Sequence, residues 1–154
     1  MRRVLCQHED LFGPWMMKIL TTNGNWFPGR GSIIGLYDDK KGPIAGCLYE
    51  GHNGASIMLH CATDQTKRWM IREFLWFVFY FPFIQLEVTK IIAPVESGNL
   101  DCRRFIEHIG FNLEATLKDC SPKGDLLIYT MAKDQCKWLS LKGPNVQTTS
   151  ASAT

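Results

Sequence analysis

The stretch that decides the fold runs from Asn99 to Phe111 and reads Asn-Leu-Asp-Cys-Arg-Arg-Phe-Ile-Glu-His-Ile-Gly-Phe. Four apolar residues recur in it at the spacing of one helical face: Cys102, Phe105, Ile106 and Ile109. Asn99 is a favoured N-cap residue, and Gly110 is the residue type that most often ends a helix. The stretch therefore predicts a capped amphipathic helix, and residues 111–117 after it predict a β-strand.

Three apolar runs upstream of this helix predict an antiparallel meander, because only short turns separate them. The runs cover residues 32–37, 44–50 and 55–62, and Asn53-Gly54 between the last two is a strong hairpin signal. The aromatic stretch over residues 66–81 then predicts a buried helix, which Asp64 caps and Pro82 ends.

The remaining elements complete a regular order. Residues 8–19 have helical spacing, although Gly13-Pro14 must break or kink a helix there. The other predicted strands and loops are a strand at 4–6, a loop at 21–31, a strand at 89–93, a loop at 94–98, a turn at 119–124 and a strand at 126–131. The order β-α-β-β-β-α-β-α-β-β predicts a mixed α/β domain, with a central twisted sheet of six to seven strands and helices on both faces.

Length and composition limit the function classes. The chain has 154 residues, of which 45% are hydrophobic and 21% charged, as in ordinary globular domains. We expect one domain over residues 1–140 and a disordered tail over 141–154. The net charge of +2 and the lack of a long basic run give no reason to expect a nucleic-acid partner. The apolar run over residues 74–84 is about half of the ~20 residues that span a bilayer, so we expect no membrane partner.

Cysteine usage indicates a reduced protein. The six cysteines form no CxxC pair, and no histidine pair has the spacing of metal ligands, so we expect no metal site. No apolar signal-peptide core follows Met1, and several cysteines lie inside apolar patterns, where free thiols commonly pack. We therefore expect a cytoplasmic protein without disulfides.

The segment from Asn99 to Phe111 resembles a signature of the GNAT superfamily, the acetyl-CoA-dependent N-acetyltransferases. That signature has an Asn at the start of a helix, a small residue three positions later and a Gly-Phe pair at its end, as in Asn99, Cys102, Gly110 and Phe111. Residues 126–138 resemble the closing strand of the ribosomal-protein N-terminal acetyltransferases and of small phage-encoded relatives. The resemblance covers residues 32–138 and implies the GNAT fold, acetyl-CoA as donor and a primary amine as acceptor.

In GNAT enzymes a strand separates from its neighbour, and the gap holds the pantetheine arm of the donor. The loop and helix start that follow bind the pyrophosphate through backbone N–H groups and the helix dipole. The resemblance assigns residues 57–62 to this strand and 64–70 to this loop. The implied cofactor-binding residues are Leu59, Cys61, Ala62, Gln65, Thr66, Lys67, Arg68, Trp69, Met70 and Asn99.

This donor loop departs from the family pattern. Gln65 fits the first position of the pattern, but Arg68 and Met70 stand where the family has small residues that let phosphates approach the backbone. Either Lys67 and Arg68 compensate as direct phosphate ligands, or the site does not bind acetyl-CoA. A solvated first helical turn is the plain structural alternative for these two cations.

Two residues are candidate catalytic bases. Glu50 ends the second strand of the meander, and His60 lies on the third strand, beside residues expected to face the thioester. Their plain structural alternatives are a solvated acid beside a turn and a packed structural histidine. Many GNAT members have a proton-donating Tyr at the position of Ile106. The ribosomal-protein subgroup, like this chain, often has an apolar residue there. Tyr129 is a possible proton donor but reads more simply as a packed strand residue.

Three functions follow. The leading one is acetyl transfer to an amine-bearing acceptor, which is a protein N-terminus, a lysine or a small amine, by direct attack on the thioester. The second is a catalytically degenerate GNAT-fold binding protein, with the side chains of Trp69 and Met70 filling the strand gap. The third is a plain α/β interaction domain, which predicts no gap between the central strands. Acceptor specificity would come from residues 21–30, and the oligomeric state stays open, a homodimer included.

Overall fold

The computed structural model describes residues 1–20 and 25–140. The predicted tail at 141–154 and part of the predicted loop at 21–31 lie outside the described residues. The strands are β1 Arg2–Cys6, β2 Ser32–Asp38, β3 Gly42–Glu50, β4 Ser56–Thr63, β5 Lys90–Glu96, β6 Asn112–Ser121 and β7 Gly124–Ala132. They form one seven-stranded sheet in the order β1-β2-β3-β4-β5-β7-β6. Only the β4–β5 pair in this sheet is parallel.

Helices cover both faces of the sheet. They are α1 Glu9–Ile19, α2 Arg72–Tyr80 and α3 Leu100–Ile109. On one face, called the α1 face below, Phe12 and Met16 pack against Ile33, Leu48 and Ala62. The opposite face, called the α2–α3 face, holds the larger core, which includes Tyr49, Leu59, Phe74, Phe79, Ile106 and Ile109. The predicted mixed α/β sheet with helices on both faces is therefore confirmed.

The first helix runs through Gly13-Pro14 without a break, contrary to the expected interruption. Pro14 lacks the N–H that would bond the carbonyl of Asp10, but Asp10 lies in the exposed first turn of α1, where water can take that role. Gly13 has a packing reason, since a Cβ there would lie 2.1 Å from the ring of Trp26. Gly13 thus serves packing within a continuous helix, whereas Pro14 is exposed.

The predicted start and end of the long aromatic helix are wrong. Asp64 caps no helix, because its carboxylate accepts hydrogen bonds from the backbone N–H and hydroxyl of Thr66, at 2.9 and 2.6 Å. The chain stays extended at Thr66, makes a short 3-10 turn over Lys67–Trp69, and enters α2 only at Arg72. The Asp64 side chain, which resembles a helix cap in the sequence, therefore stabilises a local turn instead.

Pro82 does not end the aromatic helix either, because a π-helical turn, Phe81–Gln85, follows α2 directly. A proline at this position leaves the carbonyl of Val78 without its helical donor. The buried hydroxyl of Tyr49 donates to that carbonyl at 2.5 Å. A side chain of β3 thus satisfies the backbone group that Pro82 leaves free.

The loop predicted at residues 94–98 is partly wrong, because β5 continues to Glu96. Pro94 pairs with Ile128 of β7 on one side. On its other side the last residue of β5 that pairs with β4 is Ile92. A strand proline is tolerated where one neighbouring strand is missing, so Pro94 fits at this place in the sheet.

Candidate active site

The central strands β4 and β5 separate in the middle of the sheet. Their parallel pairing consists of Ser56 with Lys90, Ile57 with Ile91 and Met58 with Ile92. Both strands then continue, β4 to Thr63 and β5 to Glu96, without further pairs along this fully described stretch. A wedge therefore opens beyond Met58. The plain α/β domain with an uninterrupted sheet is excluded.

On the α2–α3 face, β3 and β4 form the floor of a small apolar cavity, which α2 and α3 cover. Its walls include Leu59 and Cys61 of β4, Phe105 of α3 and Trp69 from the loop before α2. The Trp69 and Phe105 rings meet edge to face with centroids 4.3 Å apart. The cavity measures about 10 Å³, which is room for about one water molecule. Trp69 follows β4 and contacts α3, which follows β5, so its ring lies between the two segments that flank the expected donor gap. Met70 is 38% exposed and does not line the cavity.

Three thiols lie at or near this cavity. Cys47 and Cys61 face each other across β3 and β4 with 3.2 Å between their Sγ atoms. The hydrogen bond between them and burial raise the pKa of the Cys61 thiol well above its ordinary value. Burial, with a smaller contribution from Cys61, raises the pKa of Cys102 to about 11. Cys61 and Cys102 therefore stay protonated near neutral pH, so Cys61 is not an activated nucleophile.

On the α1 face, β3 and β4 hold a polar cluster that consists of Arg30, Glu50 and His60. Oε1 of Glu50 lies 2.9 Å from Nε2 of His60, and its Oε2 lies 3.3 Å from Nε of Arg30. The three side chains are only 18–25% exposed. Glu50 also pairs in register with Met58, the residue at which β4 leaves β5. The cluster therefore lies at the closed end of the wedge, and Glu50 is not a solvated acid.

The environment of His60 favours its neutral form. Burial lowers the pKa of His60 below its ordinary 6.5, and Arg30 lowers it further, while Glu50 acts in the opposite direction. Nε2 is shielded from solvent and lies against the Glu50 carboxylate without the angles of a well-formed hydrogen bond. A neutral imidazole beside a carboxylate is equipped to accept a proton near neutral pH.

The separation of β4 from β5 gives the sheet an unusual capability. Side chains alternate along β4, so His60 lies on the α1 face, whereas Leu59 and Cys61 face the cavity on the opposite side. A continuous sheet would isolate these two environments. Beyond Met58 no pairs between β4 and β5 separate the two environments.

Comparison with known proteins identifies the architecture. No protein-family model matches the chain, and no curated protein sequence matches it. Among solved structures, a point mutant of the spermidine N-acetyltransferase of Vibrio cholerae has a TM-score of 0.69 at 16% identity, covering 91% of this chain and 96% of that one. The same enzyme in complex with CoA and spermine has a TM-score of 0.67 at 15% identity, covering 88% and 96%. A GNAT-family acetyltransferase of Bacillus anthracis has a TM-score of 0.56 at 14% identity, covering 66% of each chain.

The chain has the GNAT fold. β4 and β5 are the strands that separate, and the segment predicted as the donor loop, taken here as 64–71, joins β4 to α2. Its cations Lys67 and Arg68 are exposed, and Arg72 follows them in the first turn of α2. Basic side chains at the start of a helix are unfavourable with the helix dipole unless an anion binds there.

The donor loop is held at both ends. Gln65 has a φ of +65°, which is uncommon for a residue with a side chain, and its backbone N–H bonds Thr63. At the other end the guanidinium of Arg2 donates to the carbonyl of Arg68 at 2.6 Å. An N-terminal arginine from β1, too isolated in sequence to suggest a role, therefore reaches this loop.

The GNAT signature helix forms as expected. The Asn99 side chain accepts a hydrogen bond from the Cys102 N–H at 3.1 Å, and Gly110 has the left-handed φ of +112°. Asn99 thus has a capping contact, and its cofactor role stays a prediction. Ile106 is buried in the core, and the hydroxyl of Tyr129 donates to Glu107 at 2.7 Å, beneath α3.

Sequence reasoning missed several residues of this site. Cys47 could have been found, because the hairpin register places it opposite Cys61. Arg30 was predicted only as the last residue of the acceptor-specificity segment, residues 21–30. Its contact with Glu50 depends on the path by which this segment enters β2. No local signal indicates Arg2 or the contact of Trp69 with Phe105, because both contacts join distant segments.

The described residues contain neither a candidate metal cluster nor a candidate membrane-spanning helix. Within residues 1–20 and 25–140, no cluster of three His, Cys, Asp or Glu side chains could hold a metal ion. Among the helices of these same residues, none is both long and apolar enough to cross a membrane.

Proposed function

We propose that the chain is an N-acetyltransferase that moves the acetyl group of acetyl-CoA to a primary amine by direct attack. One observation carries this proposal: β4, which leaves β5 beyond Met58, has a protected acid–base cluster on one face and lines an apolar cavity on the other. Such an arrangement separates donor from acceptor and leaves one opening where they meet. The GNAT fold of the solved acetyltransferases supports the same function.

The donor would bind with its pantetheine arm on the α2–α3 face, along Leu59 and Cys61. Arg68 and Met70 close the backbone cradle that small residues would leave open, so the diphosphate would rely on side chains. Lys67, Arg68 and Arg72 are exposed cations near the start of α2 and suit this role. The cavity fits the arm only after Trp69 moves.

The acceptor would approach on the α1 face, where His60, supported by Glu50, accepts a proton from its amine. The neutral amine attacks the thioester carbon, a C–N bond forms, and the C–S bond of the tetrahedral intermediate breaks. CoA leaves as a thiolate, whose conjugate acid has a pKa near that of a free thiol, about 8.5, so no strong acid is needed. This accounts for an apolar Ile106 at the position of the family Tyr. We assign the general base to His60, with Glu50 stabilising the imidazolium that forms.

The acceptor class has two candidates within the primary amines. The closing segment at residues 126–138 resembles that of the ribosomal-protein acetyltransferases, which favours a protein N-terminus. The solved relative from Vibrio cholerae binds spermine and is a spermidine acetyltransferase. Here Arg30 already neutralises Glu50, which weakens the attraction of this cluster for a polycation. We therefore place a peptide N-terminus ahead of a polyamine.

The test combines binding and turnover. Calorimetry with CoA should give a measurable heat, and mass spectrometry should detect acetylation of a peptide library or of spermidine. His60→Gln should keep the CoA heat and lose turnover, so it is the matched control for a functional donor site. The absence of CoA binding at millimolar concentration refutes the proposal.

A second candidate function is a binding protein that has lost catalysis. The packing of Trp69 against Phe105 in the donor gap favours it, as do Arg68 and Met70 at the small-residue positions. This candidate predicts that wild-type protein neither binds CoA nor acetylates any amine. CoA binding with turnover of any primary amine excludes it.

A further inference from the structure

We propose that the donor loop, residues 64–71, is a gate in which Trp69 closes the pantetheine channel and Arg2 holds the closed position. The inference rests on the proposed donor site and adds its regulation: the resting protein is closed, and CoA binding requires the loop to move. The proposal stands on the contacts of Trp69, on the hinges of the loop and on the charges around it.

The contacts of Trp69 make it the closing side chain. Its indole meets Phe105 edge to face at 4.3 Å and forms one wall of the cavity together with Leu59 and Cys61. The space left, about 10 Å³, is that of about one water molecule. A pantetheine arm is many atoms longer, so it cannot lie along β4 while the indole keeps this position.

The loop is built to move as a unit. It joins two firm elements, because β4 ends at Thr63 and α2 begins at Arg72. Between them Gln65 has the uncommon left-handed backbone, and Lys67–Trp69 form only a short 3-10 turn. Lys67 and Arg68 are exposed, so Trp69 and Ile71 supply the apolar contacts that hold the loop on the core. Segments with few buried contacts open at low cost in free energy.

Arg2 supplies the latch. Its guanidinium donates to the carbonyl of Arg68, one residue before Trp69, and so ties the loop to the first strand of the sheet. A diphosphate is a stronger acceptor for a guanidinium than a backbone carbonyl. An arriving donor therefore competes for Arg2, and Lys67, Arg68 and Arg72 draw the same anion to the loop. Anion binding and release of the latch are thus coupled.

The first experiment follows CoA binding to the whole chain by tryptophan emission and calorimetry. CoA should change the emission of the wild type and of Trp76→Phe, the matched control, because Trp76 stacks on Tyr80 of α2 and does not line the cavity. The change should be absent in Trp69→Phe. If the open form is about a tenth of the population, Trp69→Ala should bind CoA about tenfold more tightly. Trp69→Leu serves if the alanine variant does not fold.

The second experiment tests the latch by limited trypsin digestion without ligand. Arg2→Ala should be cut after Lys67 or Arg68 several-fold faster than the wild type, because cleavage follows the open population. Arg3→Ala is the control, since Arg3 of β1 pairs with Asp39, directly after β2, and not with the loop. Equal cutting of the two variants overturns the role of Arg2.

The outcomes separate the gate from the proposed function. Equal CoA affinity in wild type and Trp69→Ala, with unchanged Trp69 emission, overturns the gate but leaves the donor site. Binding by Trp69→Ala with none by the wild type overturns the gate and favours the degenerate protein. Binding by neither protein overturns both proposals.

Discussion

The two faces of β4 differ in almost every physical respect. On the α1 face, His60 lies against Glu50 and Arg30, in a polar and partly wet environment. On the α2–α3 face, Leu59 and Cys61 line an apolar cavity, and Cys61 forms a thiol pair with Cys47. A period of two residues in one strand produces both environments. If the proposed function is right, proton transfer and donor binding should therefore respond to separate substitutions, although neighbouring residues carry the two roles.

The largest effect is expected on the α1 face. His60→Gln keeps the shape of the side chain but removes the proton acceptor, so kcat/KM should fall about 10²- to 10⁴-fold. The dissociation constant of CoA should stay unchanged, because the cavity lies on the other face. Steady-state kinetics and calorimetry measure the two quantities. A parallel loss of CoA affinity would show that the faces are not independent.

The pH dependence sharpens the same assignment. Because the pKa of His60 is lowered from 6.5, the folded protein keeps this imidazole neutral where an unfolded chain is already taking up a proton. Once corrected for the fraction of the acceptor that is neutral amine, activity should therefore fall only below pH 6.5, by about tenfold per pH unit once the imidazole titrates. The free energy of unfolding should also fall as the pH drops from 6.5 towards the folded pKa, because the unfolded state binds more protons there. Both slopes should flatten in His60→Gln, and an acid limb that persists in that variant contradicts the assignment.

The next effect is expected at the edge of the α2–α3 face. If Lys67 and Arg68 replace the missing backbone cradle, Arg68→Ala should weaken CoA binding by about 1–3 kcal/mol, the scale of a charged hydrogen bond. Rising salt should reduce the difference between wild type and variant, because both cations are exposed. Titration calorimetry at two salt concentrations measures this. Unchanged affinity in Arg68→Ala dismisses the compensation.

The smallest effect is expected at Asn99, which caps α3 and touches neither face of β4. Asn99→Ala should lower the free energy of unfolding by about 1 kcal/mol through the lost bond to the Cys102 N–H. Denaturant titration measures the loss, and Asn99→Ser, which keeps a capping oxygen, is the matched control. A large loss of CoA affinity in both variants would instead give Asn99 a role in the donor site.

Elements with local signals were predictable from the sequence. Asn99 and Gly110 mark the ends of α3, and the short turns of the meander predicted β2, β3 and β4, because such signals act within a few residues. Signals that depend on distant neighbours failed. Asp64 resembles a helix cap but makes a turn with Thr66, and Pro94 stays in β5 because β4 has left its side.

The candidate site divides in the same way. Glu50 and His60 could be selected from the sequence, because neighbouring strands of a meander bring residues of equal phase to one face. The arginines could not, since Arg30 and Arg2 reach their partners across 20 and 66 residues of chain. The position of Trp69 could not be predicted either, because its neighbours in the sequence do not indicate whether its indole points inward. Contacts between residues so far apart in the sequence form only when the core is assembled.

The seam between β4 and β5 has a mechanical consequence. Within the sheet, three residue pairs join strands β1–β4 to strands β5–β7, so these two halves of the sheet can rotate relative to each other about these pairs, like the leaves of a hinge. The angle between these leaves is set chiefly by the side chains of α2 and α3 that fill the space above them. Changes of volume at Phe74 or Ile109 should therefore adjust the breadth of the opening without touching a reacting group. Evolution or design could use this to accommodate acyl donors of different bulk on one unchanged scaffold.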